Sequence, residues 1–517
     1  MSTPAQQPRE HGAGRVRGEC ARVVLTLIAV TAMLRVALAA TLGLSVDESY
    51  TVAISRHLAW SYFDHPPLSV WLVGGWARLL GSEQPLLLRL PDIVLFGVST
   101  WVMYRLTAAL FGERAGLWAA LALNLAPLFT LAAAGGIVPD GPLVLLSLLA
   151  VRGFAAAVLT SPAQRAAAQW PSGASRLQMT AAGVATGLAL LSKYTAVSLP
   201  LSFGLFFASS RPRMLKGTAP WLAALLALLL FLPVIAWNHA HDWVSFAFQG
   251  GRARPVGLDF GRALWDALGE LLYLLPWIAL ALLAALARAL RRGPDAPTTW
   301  LCACLAVLPL AGFTLISLWA PVLPHWAALG WLFAFPLLGR ELASREGRSG
   351  RSPRRGTAAT AAFLIGLSAL FVAQAATGWI ERLAPGFAAH DPTIDFLDWR
   401  ALQRVVKATA GAGKLRPNSF VATVSWIDGG KTDYALAGAV PVLCLSADPR
   451  QFGVMYDRRT FSGRDALIVA DAHRGDWLQI AAPHFRHVEP AGDVVITRAG
   501  RVALTLHTAR GYGFTGA

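Results

Sequence analysis

Long apolar runs separated by short polar segments fill the first three quarters of the chain. A helix needs about 20 apolar residues to cross the hydrocarbon core of a bilayer. Runs of that length, or nearly so, lie at 22–44, 86–109, 115–134, 141–159, 179–191, 195–209, 218–236, 266–289, 299–318, 324–339 and 357–379. The pattern therefore predicts about eleven transmembrane helices, with residues 179–209 divided at "SKY" (192–194) into two short spans.

The basic residues give an independent test of this arrangement, because cytoplasmic loops carry an excess of Lys and Arg. If the N-terminus is cytoplasmic, the strongly basic segments all fall inside: the N-terminal tail, Arg114, the 152–176 loop, and the segments 211–216, 288–292 and 339–356. The outer side then receives residues 45–85, 135–141, 192–194, 237–255 and 318–326, together with everything after about 380.

The pattern changes beyond residue 380, where polar residues alternate with short β-type runs at 419–426, 440–446 and 466–472 and a hairpin-like stretch at 492–509. We therefore predict an all-α polytopic membrane bundle with a small C-terminal α/β domain. Its parts are a cytoplasmic tail (1–21), a transmembrane domain (22–380, with 45–85 as its first outer loop) and an outer soluble domain (381–517).

Composition agrees with a membrane protein, since 55% of the residues are hydrophobic and only 14% are charged, against about 25% charged in soluble proteins. The net charge of +16 does not indicate nucleic-acid binding, because the cations lie in short loops between apolar runs. Cys302 and Cys304 point to different sides of a helix and make a poor metal pair. We expect no metal site, no cofactor and no disulfide framework, and membrane lipids as partners.

Acidic residues cluster in the predicted outer segments. "DESY" contains Asp47 and Glu48, "YFDHPP" contains Asp64 and His65, and "VPDGP" contains Asp140. Each has an ordinary explanation: a solvated helix end, a turn before two prolines, or a helix N-cap. Carboxylates at a membrane edge are also candidates for function.

Two cations accompany these acids. Lys193 lies between two short spans near the predicted outer surface, against the general charge bias, and Arg89 lies in "LLLRLPD". Snorkelling to lipid headgroups is the ordinary explanation. Acids and cations on one rim also suit transfer from a lipid-linked phosphate, in which a cation holds the leaving phosphate and a carboxylate takes the acceptor proton.

Several of these motifs together resemble a known family. "DESYT", "YFDHPPLSVWL", "RLP", "PDGPL", "GLALLSKYTA", "PVIAWNHAHDWVSFAFQ" and "LPHWAALGW" are similar to bacterial membrane glycosyltransferases of the dolichyl-phosphate-mannose protein mannosyltransferase type. This superfamily has the GT-C fold and includes the aminoarabinose transferase that modifies lipid A. The resemblance runs from about 40 to 340 and continues in "VSWIDGGKTDYALAG" and "PVLCLSADPRQFG" of the tail.

The resemblance implies an inverting enzyme that moves a sugar from a polyprenyl-phosphate donor to an acceptor hydroxyl or phosphate, at the outer face of a bacterial inner membrane. The acceptor is a glycolipid, a glycan or a protein. The implied roles are Asp47 as catalytic base with Glu48 beside it, Tyr62, Asp64, His65 and Asp140 in substrate binding, and Lys193 at the donor phosphate, with Arg89 either structural or phosphate-linked. Asp64 and His65 stand where the aminoarabinose transferase has Glu and Lys.

Two other classes of function stay open at this point. A polytopic transporter or lipid flippase would place its charges near the bilayer midplane, within repeated halves. A non-catalytic scaffold would use the outer domain to bind a partner. Neither explains acids and cations gathered at the outer rim.

Overall fold

The computed structural model describes residues 7–133, 136–159, 173–346, 353–411 and 418–516. The helices of the first half are α1 (Gln7–Thr41), α2 (Val46–Ser55), α3 (Leu68–Leu80), α4 (Pro85–Phe111), α5 (Glu113–Asn124), α6 (Asp140–Val158), α7 (Gly173–Ser192), α8 (Ser198–Ser210) and α9 (Ala219–Ala240). Those that follow are α10 (Val244–Arg252), α11 (Phe260–Leu274), α12 (Pro276–Arg292), α13 (Pro297–Ser317), α14 (Ala328–Glu346), α15 (Arg354–Thr377) and α16 (Trp379–Leu383).

Six of these helices are long and apolar enough to cross a membrane within the described ranges: α1, α4, α6, α9, α13 and α15. The pair α11–α12 adds a seventh if it is one span, although it bends by 104° at the break around Leu275. The chain is thus a multi-pass membrane protein. The number of eleven spans stays a prediction, because the other helices are shorter or broken.

The break at Leu275 divides the predicted span 266–289, and three further boundaries differ from the predicted ones. Helix α1 already begins at Gln7, inside the predicted tail. The predicted span 115–134 is divided into α5 and a π-helical turn, Leu128–Ala133, because Pro127 lacks the N–H that would continue the helix. Helix α14 begins at Ala328, so that His325 lies in the turn before it. The predicted break at "SKY" is present, with Lys193 in an extended conformation between α7 and a 3₁₀ turn that leads into α8.

The C-terminal part contains the predicted strands. They are β1 (Phe420–Thr423), β2 (Val442–Cys444), β3 (Ala466–Asp471), β4 (Phe485–Arg498) and β5 (Arg501–Phe514), with helices α17 (Ala401–Gly411), α18 (Trp426–Ala435), α19 (Phe452–Met455) and α20 (Trp477–Ala481). The sheet order is β2-β1-β3-β5-β4. Strands β1, β2 and β3 are parallel, and the β4–β5 hairpin adds antiparallel strands at one edge.

The C-terminal domain packs on the short helix α2. Gly430 of α18 permits this contact, because a Cβ there would lie 2.8 Å from the Tyr50 Cα. Tyr50 meets Trp426 edge to face, with ring centroids 5.3 Å apart. Arg56, at the end of α2, forms ion pairs with Asp433 of the domain and, at 2.5 Å, with Glu83. Helix α2 is therefore shared by the membrane part and the C-terminal domain.

We expect Gly430→Ala to weaken this contact. The methyl group would force α2 and α18 apart, and overpacking of this kind costs about 1–3 kcal/mol. Gly75→Ala is a matched control, because Gly75 is helical and has nothing within 4 Å of its would-be Cβ. Both changes gain the same helix propensity, about 1 kcal/mol. The thermal unfolding midpoint in detergent should fall for Gly430→Ala relative to Gly75→Ala, and equal midpoints would contradict the close contact.

Candidate active site

A cavity of about 350 Å³ lies at the end of the helix bundle that carries the C-terminal domain. Residues from both parts of the chain line it. The charged residues of its lining are Asp47, Asp64, Asp140, Lys193, Arg252 and Arg450, and the histidines are His65 and His325. All five of the short predicted outer segments and the C-terminal tail therefore meet at one place, although they are far apart in the sequence.

Asp140 and Lys193 form one wall of the cavity. The Lys193 Nζ donates hydrogen bonds to both carboxylate oxygens of Asp140, at 2.9 and 2.8 Å. The extended backbone at Lys193 interrupts the helix and turns this side chain toward the first turn of α6. Ser192 fixes the approach, since its hydroxyl donates to the Pro139 carbonyl at 2.6 Å. The lysine is thus already paired with a carboxylate.

Asp64 is held from two sides. It accepts a hydrogen bond from the Tyr50 hydroxyl at 3.3 Å and one from Arg450 at 3.3 Å. The loop that carries it is fixed to α10, because Gln249 donates to the Asp64 carbonyl at 2.6 Å. Arg450 belongs to the C-terminal domain, so the domain completes this part of the site.

Asp47 differs from the other carboxylates. Among the described residues, none donates a hydrogen bond to its side chain. Burial raises the pKa of Asp47, while the positive charge of Arg450 acts in the opposite direction. A carboxylate with a raised pKa and free lone pairs can accept a proton.

Glu48 has a different environment from its neighbour. Its carboxylate binds the Arg89 guanidinium in a bidentate pair, at 2.7 and 2.6 Å, and both side chains are buried. It also accepts from the backbone N–H groups of Ser45 at 2.8 Å and Ile137 at 3.1 Å. Burial alone would raise the pKa of Glu48, but the hydrogen bonds and charge of Arg89 hold it below its usual value.

Neither Glu48 nor Arg89 lines the cavity. The remaining N–H groups of Arg89 donate to the carbonyls of Ala39, Leu42 and Gly43 at 2.6–3.2 Å. Of the two roles that the sequence left open for Arg89, these contacts favour the structural one. Glu48 likewise lies beside Asp47 in sequence but points away from the cavity.

Tyr62 and His65, both predicted to bind substrate, have different positions relative to the cavity. The Tyr62 hydroxyl is directed away from the cavity, accepting from the Ala59 N–H and donating to the His57 carbonyl. His65 lines the cavity, and its Nδ1 atom is buried without a hydrogen-bond partner among the described residues. Burial lowers the pKa of His65, so the ring is neutral near pH 7 and donates or accepts without carrying charge.

The lining also contains residues that were not predicted, among them Arg252, Trp426 and Arg450. Arg252 follows "FAFQ" in the predicted outer segment 237–255, for which no site residue was predicted. Trp426 and Arg450 lie in the two tail motifs that resemble the bacterial family, which was the available signal. Within the described ranges, no three His, Cys, Asp or Glu side chains gather in a way that could hold a metal ion.

Comparison with known proteins gives the fold. A family model described as dolichyl-phosphate-mannose-protein mannosyltransferase matches residues 64–237. The structure is similar to that of ArnT from Cupriavidus metallidurans bound to undecaprenyl phosphate, with a TM-score of 0.62, 16% identity and coverage of 94% of this chain and 97% of that chain. The fold is that of the GT-C glycosyltransferases.

Two further comparisons bear on this result. ArnT from the same organism in the apo state gives a TM-score of 0.62 at 16% identity, over 95% of this chain and 98% of that chain. The archaeal oligosaccharyltransferase AglB from Archaeoglobus fulgidus, in complex with an inhibitory peptide and a dolichol-phosphate, gives 0.51 at 11% identity, over 89% and 71%. No curated protein matches the chain.

The resemblance and the fold class predicted from the motifs are confirmed. The family match includes Asp64, His65, Arg89, Asp140 and Lys193. It leaves out Asp47 and Glu48, which precede it, as well as the cavity arginines, which follow it. The individual roles of all these residues stay predictions.

We expect Glu48→Gln to act on stability. It leaves the buried Arg89 without a counter-charge, and breaking a buried ion pair from one side costs about 3–5 kcal/mol. Asp47→Asn is the matched control, because its carboxylate makes no such pair. Thermal unfolding in detergent should show a large loss for Glu48→Gln and a small change for Asp47→Asn. Similar midpoints for the two variants would contradict the anchoring role of Glu48.

Proposed function

We propose that the protein is an inverting glycosyltransferase that moves a sugar from a polyprenyl-phosphate donor to an acceptor hydroxyl. One observation supports this more than any other. The same cavity is lined by a carboxylate without a hydrogen-bond donor, Asp47, and by a guanidinium without an ion-pair partner within 4 Å, Arg252, among the described residues. Such a transfer needs one group of each kind, a base and an anion holder.

Asp47 is the base of the proposed reaction. It removes the proton from the acceptor hydroxyl as the oxygen attacks the anomeric carbon. The bond between that carbon and the phosphate oxygen breaks, and its electron pair leaves with the polyprenyl phosphate. A single displacement inverts the configuration. The proton stays on Asp47 until it is lost to solvent.

Arg252 holds the phosphate as negative charge develops on it. The guanidinium lies over the rings of Phe248 and Trp326, 4.6 and 5.4 Å from their centroids. This fixes its plane, while no described residue forms an ion pair with its N–H groups. Lys193 supports it, because an ammonium group has three donors and Asp140 accepts only two bonds. The sequence-based prediction differs, because it assigned the donor phosphate to Lys193 and did not include Arg252.

Asp64 and Asp140 suit a positioning role for sugar hydroxyls. Each is already paired with a cation, yet lone pairs on its oxygens stay available for hydrogen bonds. His65 lines the same cavity, and its neutral ring can donate or accept a hydrogen bond without changing the charge of the site. A site that excludes water during the reaction favours transfer over hydrolysis.

The donor class is supported by the structural neighbours, of which ArnT was solved with undecaprenyl phosphate and AglB with dolichol-phosphate. The charge bias of the loops supports a site at the outer face of a bacterial inner membrane. A glycolipid, a glycan or a protein would supply the acceptor hydroxyl. The transporter and flippase alternatives are disfavoured by charges that lie at one rim of the bundle.

Membranes supplied with labelled polyprenyl-phosphate sugars test the proposal. We expect Asp47→Asn to lower turnover by orders of magnitude at normal expression, because no other free carboxylate lines the cavity. Arg252→Gln should raise the KM for donor lipid and lower kcat. Arg254→Gln is a matched control, since this neighbouring residue does not line the cavity. Donor lipid that is moved across the membrane but never consumed would favour the flippase. Turnover of Asp47→Asn at the wild-type rate would exclude Asp47 as the catalytic base.

A further inference from the structure

We propose that Arg450, a residue of the C-terminal domain, is a positioning residue of the active site: by pairing with Asp64 it leaves Asp47 as the carboxylate that accepts the proton. This inference rests on the proposed transfer reaction. It assigns the C-terminal domain a part in the chemistry in addition to its part in the fold. Four observations carry it.

The first observation is the anchoring of the Arg450 backbone. The next residue, Gln451, donates its N–H to the Tyr50 hydroxyl at 3.1 Å. Its side-chain oxygen accepts from the Phe63 N–H at 2.7 Å. The turn is therefore fixed at once to α2, which carries Asp47, and to the loop that carries Asp64. The position of Arg450 in the cavity is therefore set by the same two segments that carry Asp47 and Asp64.

The second observation is the conformation of that backbone. Arg450 has a φ of 47°, in the left-handed region that favours glycine. A residue with a side chain is strained there, and such strain persists where the surroundings hold it in place. A turn that served only to connect β2 with α19 would accept glycine at this position. The strained backbone at this position therefore carries a guanidinium group that a glycine would not supply to the cavity.

The third observation is the fixed orientation of the guanidinium. It lies 3.7 Å from the centroid of the Trp426 ring and 5.6 Å from that of Phe248. Its Nη1 donates to Asp64 at 3.3 Å, whereas Nε has no hydrogen-bond partner among the described residues. The indole thus holds the guanidinium plane against Asp64 from one side.

The fourth observation is the balance of charge around Asp47. Four carboxyl groups act on Asp47 through their charge or line a cavity with it: Glu48, Asp64, Asp140 and Asp395. Glu48 is paired with Arg89 and Asp140 with Lys193, and Lys431 acts on Asp395. Arg450 pairs with Asp64 at 3.3 Å, and its Nε also lies 3.7 Å from the more exposed carboxylate of Asp448. Each of these four acids therefore has a cation beside it, whereas Asp47 forms no ion pair among the described residues.

The remaining groups near Asp47 do not replace Arg450. Arg252 makes no ion pair within 4 Å in the described part of the chain and is occupied by the donor phosphate in the proposed reaction. His65 and His325 line the same cavity, and His65 is neutral near pH 7. Without Arg450, two unpaired acids would share one cavity, and like charges at close range raise the pKa of one of them. Asp47 would then bind a proton before the acceptor arrives.

The pH dependence of kcat/KM for sugar transfer tests this inference. An opposite charge lowers the pKa of a carboxyl, so its removal raises it. We expect the acid limb of the profile to move to higher pH by about one unit or more in Arg450→Met, with Arg450→Lys close to wild type. Asp64→Asn should move the limb the other way, and the double variant should lie between the two single ones.

Arg458→Met is the matched control, because Arg458 lies in the same domain and donates to the Cys444 carbonyl at 2.6 Å outside the cavity. A merely structural role of Arg450 would lower kcat in both Met variants and leave both acid limbs in place. If the acid limb of the pH profile does not move in Arg450→Met, the inference is wrong. If Arg450→Met does not fold, Asp64→Asn decides: an acid limb that stays in place or moves to higher pH in that variant overturns the inference. If the wild-type protein transfers no sugar, the proposed function itself fails.

Discussion

The buried pair of Glu48 and Arg89 is the interaction on which the site depends. A carboxylate and a guanidinium removed from water are costly unless every donor and acceptor is used. Here Arg89 of α4 uses its other N–H groups on the carbonyls at the end of α1, and Glu48 also accepts from the backbone at Ser45 and Ile137. One pair thus ties together the end of α1, the start of α2, helix α4 and the loop before Asp140.

The C-terminal domain adds to this arrangement from the other side. Lys431 of α18 is buried and donates to the carbonyls of Leu44 and Asp395, at 2.8 Å each. Leu44 directly precedes the N-cap Ser45, so the turn between α1 and α2 is held by an arginine from the membrane part and a lysine from the domain. Burial lowers the pKa of Lys431 to about 8, because removal from water disfavours the charged ammonium. Asp47 is placed by contacts to both parts of the chain.

Much of this could be predicted from the sequence, because it follows from local pattern. Hydropathy located the long helices, short β-type runs located the strands of the sheet, and the excess of acids in three segments indicated a common rim. What could not be predicted is which cation meets which acid. Asp64 and Arg450 are 386 positions apart, and no local pattern specifies their contact. The adjacent residues Asp47 and Glu48 also look equivalent in sequence, whereas a helix points their side chains about 100° apart.

That last difference explains how one short motif supplies two functions. In a helix, consecutive residues face different neighbours, so "DE" at the start of α2 directs one carboxylate inward to Arg89 and the other to the cavity. Glu48 has the longer side chain and occupies position N3, where it closes a capping box with Ser45. A glutamate is suited to that position, since it reaches back to the N-cap N–H and still meets Arg89. Asp47 has the shorter side chain, makes no such contacts and keeps its lone pairs free. Because the contacts of Glu48 fix the rotation of α2, they also fix the direction in which the Asp47 side chain points.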